Sequence, residues 1–293
     1  MEQPAFGRVS AKEFQKAERH NYRCVSVDPL TPVIGAEISG VRLAELGDDA
    51  FQDIHDALMR HCVIFFRDQE MTPEQHKAFG RRFGELHIHP AAPAPEGHPE
   101  ILVIHADERS RHVAGHGWHS DVSCDEEPPM GSILHLHTVP ATGGDTMFAS
   151  MYAAYEALSD KMQSFLSSLT ARHESEHVYK GRYGLKENLR DGDYPAAEHP
   201  VVRTHPVTGR KGLYVNSGFT KSIIGMKRNE SRALLDFLFR HVELPEFHCR
   251  FRWRANSVAF WDNRCVQHHA LWDYWPEVRH GYRVTVKGDR PFH

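Results

Sequence analysis

Apolar residues recur every three to four positions in several stretches of the chain, which predicts amphipathic helices. The clearest are residues 48–61 and 229–243, and residues 150–169 carry the same period with Ser150 at the capping position. A further helix is predicted to begin after Thr72, because Thr-Pro-Glu-Gln supplies a cap, a proline at the first helical position and a glutamine three residues after the cap.

Shorter apolar runs bounded by turn residues predict strands, and they occur in both halves of the chain. They include residues 25–43, 63–68, 101–107 and 131–139. Many short strands with a few inserted helices predict a mainly β fold, an antiparallel sandwich or jelly roll. We expect one domain over residues 1–293, with 1–25 as an N-terminal extension and the polar segment 172–198 as a candidate lid loop.

Composition narrows the classes of function. The formal net charge is −4, so the chain has no basic excess that would favour nucleic acid. No apolar run is long enough to span a membrane, and the N-terminus lacks the apolar region of a secretory signal, so a cytoplasmic location is predicted. The five cysteines form no CxxC pair, whereas 23 histidines raise the expectation of an imidazole and carboxylate metal site.

The segment GHGWHSDVSC, residues 115–124, carries the strongest local signal. In extended backbone, His119 and Asp121 point to the same side and can meet one ion. A second histidine from a distant segment would complete a facial triad, which leaves positions open for iron(II) chemistry. The tripeptide alone is weak, because His-x-Asp occurs by chance and most such pairs are structural.

Several motifs around this tripeptide occur together. They are WHSD (118–121), PP (128–129), GGDT (143–146), WDNRCVQHHA (261–270), Arg279, Arg283 and KGDRPF (287–292). In order and approximate spacing the chain resembles the taurine dioxygenase/TfdA family of iron(II)- and 2-oxoglutarate-dependent dioxygenases, from about residue 26 to the end. The resemblance implies a double-stranded β-helix (jelly roll) core and hydroxylation of a small anionic substrate, with 2-oxoglutarate converted to succinate and CO2.

The resemblance also implies the metal ligands, which would be His119, Asp121 and His268. Its neighbour His269 is the rival, because adjacent side chains in a strand face opposite ways and only one of them can join the triad. Motif alignment favours His268, whereas the physical argument leaves the choice open.

Further residues correspond to binding positions of the family. Thr146 and Arg279 would hold the distal carboxylate of 2-oxoglutarate, for which a guanidinium offers a bidentate fork. Arg283 would bind the acidic head group of the substrate, and His89 and Phe219 would line the substrate pocket. Fe(II), 2-oxoglutarate and O2 are therefore expected, with ascorbate supporting activity; a homo-oligomer, either dimer or tetramer, is compatible with the resemblance, and neither nucleic acid nor membrane is an expected partner.

The chain departs from the taurine pattern at two pocket positions. Ala92 stands where taurine enzymes have a tyrosine, and Gly115 stands where they have an asparagine. Both changes remove polar contacts and add room. We therefore expect an anion larger or less polar than taurine: a sulfonate, a sulfate ester, or a carboxylate such as an aryloxyalkanoate.

Two other functions use the same residues. A zinc hydrolase would need two histidines, a carboxylate and a water, but GGDT and the spaced arginines would then be unexplained. A jelly-roll protein that binds an anion without catalysis would keep the three residues only as remnants.

Overall fold

The fold is known from a computed structural model, which describes residues 21–89, 94–180 and 194–293. Within these ranges most of the regular structure is β. The strands are β1 (Ser26–Pro29), β2 (Ala36–Ser39), β3 (Val63–Phe66), β4 (Ile101–Ala106), β5 (Gly131–Thr138), β6 (Thr146–Ser150), β7 (Thr170–Glu174), β8 (Ala196–Pro200), β9 (Val202–Thr204), β10 (Lys211–Leu213), β11 (Thr220–Ile223), β12 (His248–Phe251), β13 (Ser257–Asp262), β14 (Val266–Ala270) and β15 (Arg279–Val286).

Six α-helices interrupt the strands in the described ranges, together with two short 3₁₀ helices at Leu43–Glu45 and Pro245–Phe247. None of the helices described is long and apolar enough to cross a membrane. The α-helices are α1 (Asp48–His61), α2 (Pro73–Arg81), α3 (Met151–Glu156), α4 (Asp160–Leu166), α5 (Glu176–Tyr179) and α6 (Arg228–Val242).

The strands form one large sheet and three smaller ones. The large sheet has the order β1-β2-β3-β13-β5-β15-β4, and all its pairings are antiparallel except that between β2 and β3. The smaller sheets have the orders β12-β6-β14, β11-β7-β8 and β10-β9. This is the mainly β, double-stranded β-helix (jelly roll) core with inserted helices that the sequence predicts.

Strand β3 shows how the large sheet separates two apolar layers. Successive side chains of a strand point to opposite faces. Val63 and Phe65 belong to the core between the sheets, where the Phe65 ring stacks on Phe251 of β12 at 4.0 Å between centroids. Ile64 and Phe66 instead belong to the layer covered by α1 and α2. The inner face of the sheet, which these helices do not cover, contributes residues that line the main cavity.

The capping signals at two of the predicted helix starts are confirmed. Thr72 Oγ1 accepts from the Gln75 backbone N–H at 3.2 Å, and Gln75 Oε1 accepts from the Thr72 N–H at 2.8 Å. Ser150 caps α3 by accepting from the Ala153 N–H at 3.2 Å. These contacts depend on local sequence alone, which is why the pattern predicts them.

The single helix predicted over residues 150–169 is wrong, because the chain forms two short helices there. Ser159 caps α4 by accepting from the Met162 N–H at 3.3 Å. The Gln163 side-chain amide then donates to the carbonyls of Tyr155 at 3.1 Å and Leu158 at 3.0 Å. A second cap and a side chain that satisfies the end of α3 make the break stable.

The candidate lid segment 172–198 contains regular structure in its described parts. Its first residues belong to β7 and α5, and its last belong to β8. Residues 181–193 lie outside the described residues, as do most of the N-terminal extension and Ala92. The lid role stays a prediction.

Buried histidines make the stability of this fold sensitive to acid. His76 on α2 is buried beneath the large sheet, where its Nε2 bonds the Ile133 carbonyl at 3.1 Å. Burial, reinforced by the neighbouring His135, lowers the pKa of His76 to about 3. Since the unfolded chain takes up this proton near the ordinary value of 6.5, stability is complete above that pH. It is lost at about 1.4 kcal/mol per pH unit as pH falls below it.

We predict that the His76 side chain costs wild type about 2 kcal/mol of unfolding free energy between pH 7 and pH 5. His76→Gln should not show this loss, because glutamine keeps a donor for Ile133 and takes up no proton. Chemical denaturation at both pH values measures this difference. His105→Gln is the control, since that side chain is 45% exposed and lies outside the buried layer around His76. Equal pH dependence in wild type and His76→Gln would contradict the argument.

Candidate metal centre and anion-binding cavity

A short backbone bridge brings the two halves of the candidate triad together. The His119 N–H donates to the His268 carbonyl at 3.1 Å, and the His268 N–H donates to the His119 carbonyl at 2.9 Å. This isolated antiparallel bridge places the two rings with centroids 4.1 Å apart. His268 is held in turn by β14, which pairs with β6.

The carboxylate of Asp121 reaches the same point. Its Oδ1 lies 3.7 Å from His119 Nε2 and 4.0 Å from His268 Nε2. Two imidazole nitrogens and one carboxylate oxygen therefore converge, and together they can hold a metal ion. Asp121 and His268 are buried, and His119 is nearly so.

His268 rather than His269 faces Asp121. The His269 ring lies on the other side of β14, with its centroid 5.6 Å from Trp118 and 5.3 Å from His116. The choice that strand alternation left open is thus decided by the register of β14 against His119.

The protonation states suit a divalent metal. His119 Nδ1 lies 2.9 Å from the Gly117 carbonyl, which accepts only, so Nδ1 carries the hydrogen and Nε2 presents its lone pair. Burial lowers the pKa of both His119 and His268, which keeps the rings neutral. Two neutral imidazoles and one carboxylate are the donor set expected of a facial triad, so the residues present fit the metal.

Buried neighbours hold Asp121 in place. Ser132 on β5 donates to Asp121 Oδ2 at 2.7 Å, and the Asn263 amide donates to Ser132 Oγ at 3.1 Å. Asn263 Oδ1 accepts from the Asp121 N–H at 3.3 Å and from the Trp261 indole at 2.9 Å. Asn263 lies within the second motif, WDNRCVQHHA, whereas Ser132 was not predicted, because no periodic signal distinguishes this serine from other strand residues.

The charge of Asp121 is balanced by Arg283. Burial by itself raises the pKa of this carboxyl, but the Arg283 guanidinium holds the pKa well below its usual range. Arg283 Nη1 donates to Asp121 Oδ1 at 2.7 Å. The guanidinium predicted for the substrate thus contacts a predicted metal ligand in this structure.

Arg279, four residues earlier on β15, lies apart from the carboxylate. Its Nε donates to the Gly144 carbonyl at 3.2 Å and its Nη2 to Thr146 Oγ1 at 3.4 Å. It is 2% exposed, and burial lowers its pKa to about 10. Within the described ranges it has no acidic side chain within salt-bridge distance. A buried cation with only neutral partners favours binding of an anion.

One cavity of about 450 Å³ joins all the predicted site residues. Burial, with the nearby Arg283, lowers the pKa of His89 to about 4, so this ring is neutral. Phe219 packs near the Tyr179 ring at 6.3 Å between centroids. The predicted residues that line the cavity are His89, His119, Asp121, Thr146, Phe219, His268, Arg279 and Arg283.

Several cavity residues were not predicted. Leu102 and Ile104 of β4 and Leu134 of β5 supply an apolar wall, and Val178 and Tyr179 of α5 supply another. Alternation along β4 could have identified Leu102 and Ile104, since both point to the inner face. Tyr179 lies in a segment predicted as a loop and had no signal.

Gly115 lies beside His119, one of the candidate metal ligands. Its φ is +84°, and a Cβ there would lie 3.5 Å from both the Ala270 Cβ and the His119 Cε1. A side chain at this position would enter the cavity beside His119. The glycine therefore adds room next to the candidate metal centre.

A second group of metal-ligating residue types has a structural role. His205 Nε2 donates to Asp262 Oδ2 at 3.0 Å, since His205 Nδ1 accepts from two backbone N–H groups. Arg264 donates to both oxygens of Asp262, at 2.8 and 2.6 Å. The Asp262 oxygens are already in use, and a guanidinium stands where a cation would bind, so Asp262 and Arg264 form an internal ion pair to which His205 hydrogen-bonds.

Comparison with known proteins identifies the class. The sequence model of the family described as Taurine catabolism dioxygenase TauD, TfdA family matches residues 26–285. The chain belongs to this family, and it is an alpha-ketoglutarate-dependent dioxygenase, alpha-ketoglutarate being 2-oxoglutarate.

Two curated relatives and one solved structure illustrate the match. The alpha-ketoglutarate-dependent sulfonate dioxygenase of Saccharomyces cerevisiae is 35% identical over 98% of this chain and 71% of its own length. The alpha-ketoglutarate-dependent sulfate ester dioxygenase of Pseudomonas putida is 36% identical over 91% of both chains. A taurine dioxygenase structure from Burkholderia xenovorans superposes with a TM-score of 0.79 at 39% identity, over 92% of this chain and 91% of that one.

We predict that Ser132→Ala weakens Mn²⁺ binding to the metal-free protein by about tenfold to a hundredfold, because Asp121 loses the hydrogen bond that orients its Oδ2. Equilibrium dialysis measures the affinity. Ser257→Ala is the matched control, since Ser257 is equally buried on a neighbouring strand and bonds Arg67 instead. An unchanged affinity in Ser132→Ala would show that this serine does not orient the ligand.

Proposed function

We propose that the protein is an iron(II)- and 2-oxoglutarate-dependent dioxygenase that hydroxylates a small monoanionic substrate with an apolar portion. One observation carries the proposal: three convergent ligand side chains and two buried arginines line the same cavity. His119, Asp121 and His268 hold the metal in this proposal.

The bound iron would supply the activation of O2, coupled to oxidative decarboxylation of 2-oxoglutarate to succinate and CO2, with ascorbate keeping the metal reduced. The protein side chains supply binding, orientation and exclusion of water. Arg279 and Thr146 bind the distal carboxylate of 2-oxoglutarate. The Trp253 indole donates to Thr146 Oγ1 at 3.0 Å, which leaves the Thr146 hydroxyl hydrogen to be directed at the carboxylate.

Charge balance supports a monoanionic substrate. Asp121, Arg279 and Arg283 together carry one positive charge, and a divalent metal with a 2-oxoglutarate dianion leaves that sum unchanged. A single negative charge beside Arg283 then brings the buried centre to neutrality, which favours a sulfonate, sulfate monoester or carboxylate. Neutral His89 lines the same cavity and would donate a hydrogen bond to the same head group.

The apolar wall supports a substrate less polar than taurine. Leu102, Ile104 and Leu134 offer contact to a hydrocarbon portion. An ammonium group would find only one acid among the described lining residues, Asp121, and that carboxylate is assigned to the metal. The names of the yeast and Pseudomonas relatives, which act on sulfonates and sulfate esters, agree with this substrate class.

The two alternatives account for less of the site. A zinc hydrolase would not need Arg279, whose burial without an acidic partner in the described ranges calls for a bound anion. A non-catalytic anion-binding protein would not need the orienting contacts around Asp121. The cytoplasmic location, a dimer or tetramer, and the lack of nucleic acid or membrane partners stay predictions from the sequence.

The first test is oxygen consumption with Fe(II), ascorbate and 2-oxoglutarate across sulfonates, alkyl sulfates and aryloxyalkanoates. We expect His119→Ala and Asp121→Ala to abolish uptake, and Arg279→Gln to raise the KM for 2-oxoglutarate about tenfold to a hundredfold, because a charge-assisted pair is lost. His269→Ala is the matched control for His119→Ala and should keep the wild-type rate. Uptake that is independent of 2-oxoglutarate would refute the proposal, as would full activity in Asp121→Ala.

The second test is a series of linear alkanesulfonates from two to six carbons, with taurine for comparison. Each buried methylene contributes about 0.8 kcal/mol, so kcat/KM should rise about fourfold per carbon until the cavity is filled. Ile104→Ser should reduce the rate for hexanesulfonate more than that for ethanesulfonate. Taurine as the best substrate would contradict the apolar-wall argument.

A further inference from the structure

Arg283 and the metal would compete for one atom. Asp121 Oδ1 is the oxygen that faces His119 Nε2 and His268 Nε2, at 3.7 and 4.0 Å. The same oxygen accepts from Arg283 Nη1 at 2.7 Å. The other oxygen, Oδ2, is already bonded to Ser132. A metal held by the triad therefore meets the guanidinium of Arg283 at its carboxylate ligand.

Like charges this close repel strongly in a buried site, where solvent screens little. The guanidinium is itself incompletely bonded in this position, because its Nε is buried with no hydrogen-bond partner among the described residues. An anion that binds Arg283 would satisfy Nε, neutralise the guanidinium and draw it away from Oδ1. Binding of the anion and binding of the metal would then favour each other.

We propose that Arg283 couples the two binding events: it pairs with Asp121 in the metal-free protein and is released to the anionic substrate when the metal binds. This inference rests on the proposed function, since it takes Asp121 as a metal ligand and Arg283 as the residue that binds the anionic substrate. Arg283 is a positioning residue for the metal ligand as well as a binding residue for the anion.

Arg279 provides the internal comparison. It lines the same cavity from the same strand, but its hydrogen bonds go to Gly144 and Thr146 and not to Asp121. A general electrostatic effect of any cavity arginine would involve Arg279 as well. A specific exchange at Asp121 Oδ1 involves Arg283 alone.

The coupling orders assembly of the site. Without metal, Arg283 is paired with the buried Asp121 carboxylate and is not available to the anion, so the anion binds weakly. Without anion, the metal must displace a guanidinium from its ligand. The complete centre therefore forms best when both are present, and linkage requires each to strengthen the other by the same factor.

The test measures Mn²⁺ affinity of the full metal-free chain by equilibrium dialysis, with butanesulfonate or with NaCl at equal ionic strength, and without 2-oxoglutarate. We expect butanesulfonate to tighten Mn²⁺ binding about tenfold in wild type, within the usual range of coupling. Arg283→Gln should bind Mn²⁺ more tightly than wild type in NaCl, with no further effect of the sulfonate. Arg279→Gln should keep the sulfonate effect.

A second measurement needs no variant and so does not depend on how Arg283→Gln folds. Calorimetric titration of wild type measures the affinity for butanesulfonate with and without bound Mn²⁺. The affinity should rise on Mn²⁺ loading by the same factor by which butanesulfonate tightens Mn²⁺ binding in the dialysis. Equal affinity for butanesulfonate in the Mn²⁺-loaded and metal-free protein would overturn the inference.

The outcomes separate this inference from the function on which it rests. Mn²⁺ binding that Asp121→Ala abolishes, but that neither butanesulfonate nor Arg283→Gln alters, would overturn the coupling and leave the proposed function standing. A sulfonate effect that Arg279→Gln removes and Arg283→Gln keeps would also overturn it. Mn²⁺ binding unaffected by Asp121→Ala would refute the ligand assignment, and with it both proposals.

Discussion

A buried negative charge at Asp121 is the constraint around which the rest of the site is arranged. A carboxylate in the protein interior is costly unless it is paired and hydrogen-bonded. Here one oxygen bonds Ser132, the other bonds Arg283, and Asn263 links this serine to the Asp121 backbone. The same arrangement fixes which oxygen faces the histidines, so the contacts that stabilise the buried charge also bring the three candidate ligands together.

The jelly roll makes this burial possible because its large sheet has two different faces. Helices α1 and α2 cover the outer face with an apolar layer, and the inner face can then carry polar residues without exposing the core. Leu134, Leu102 and Arg283 meet across β5, β15 and β4 by cross-strand pairing. An apolar wall and a cation are thereby placed side by side, which is what an amphiphilic anion requires.

The sequence by itself determined what depends on near neighbours. Thr72 and Ser150 act as caps because their hydroxyls need only the next turn of the helix. Asp121 was predicted to share a cavity with His119 from the alternation of side chains two residues apart, and it does so although it begins a turn. The motif pieces together also determined the family, and through it the fold, since their joint order is specific where each alone is common. Capping also explains the error at 150–169, because Ser159 supplies a second cap that overrides the continuous helical period.

Only the tertiary structure decided what depends on register and on long-range pairing. Whether His268 or His269 faces the metal position follows from the single bridge between His119 and β14, and a shift by one residue would reverse the choice. Ser132 and Tyr179 entered the site from elements whose own sequence carries no sign of it. The pairing of Arg283 with Asp121 joins residues 162 positions apart. Sequence patterns describe faces of single elements, whereas such contacts are set by how the folded sheets bring those faces together.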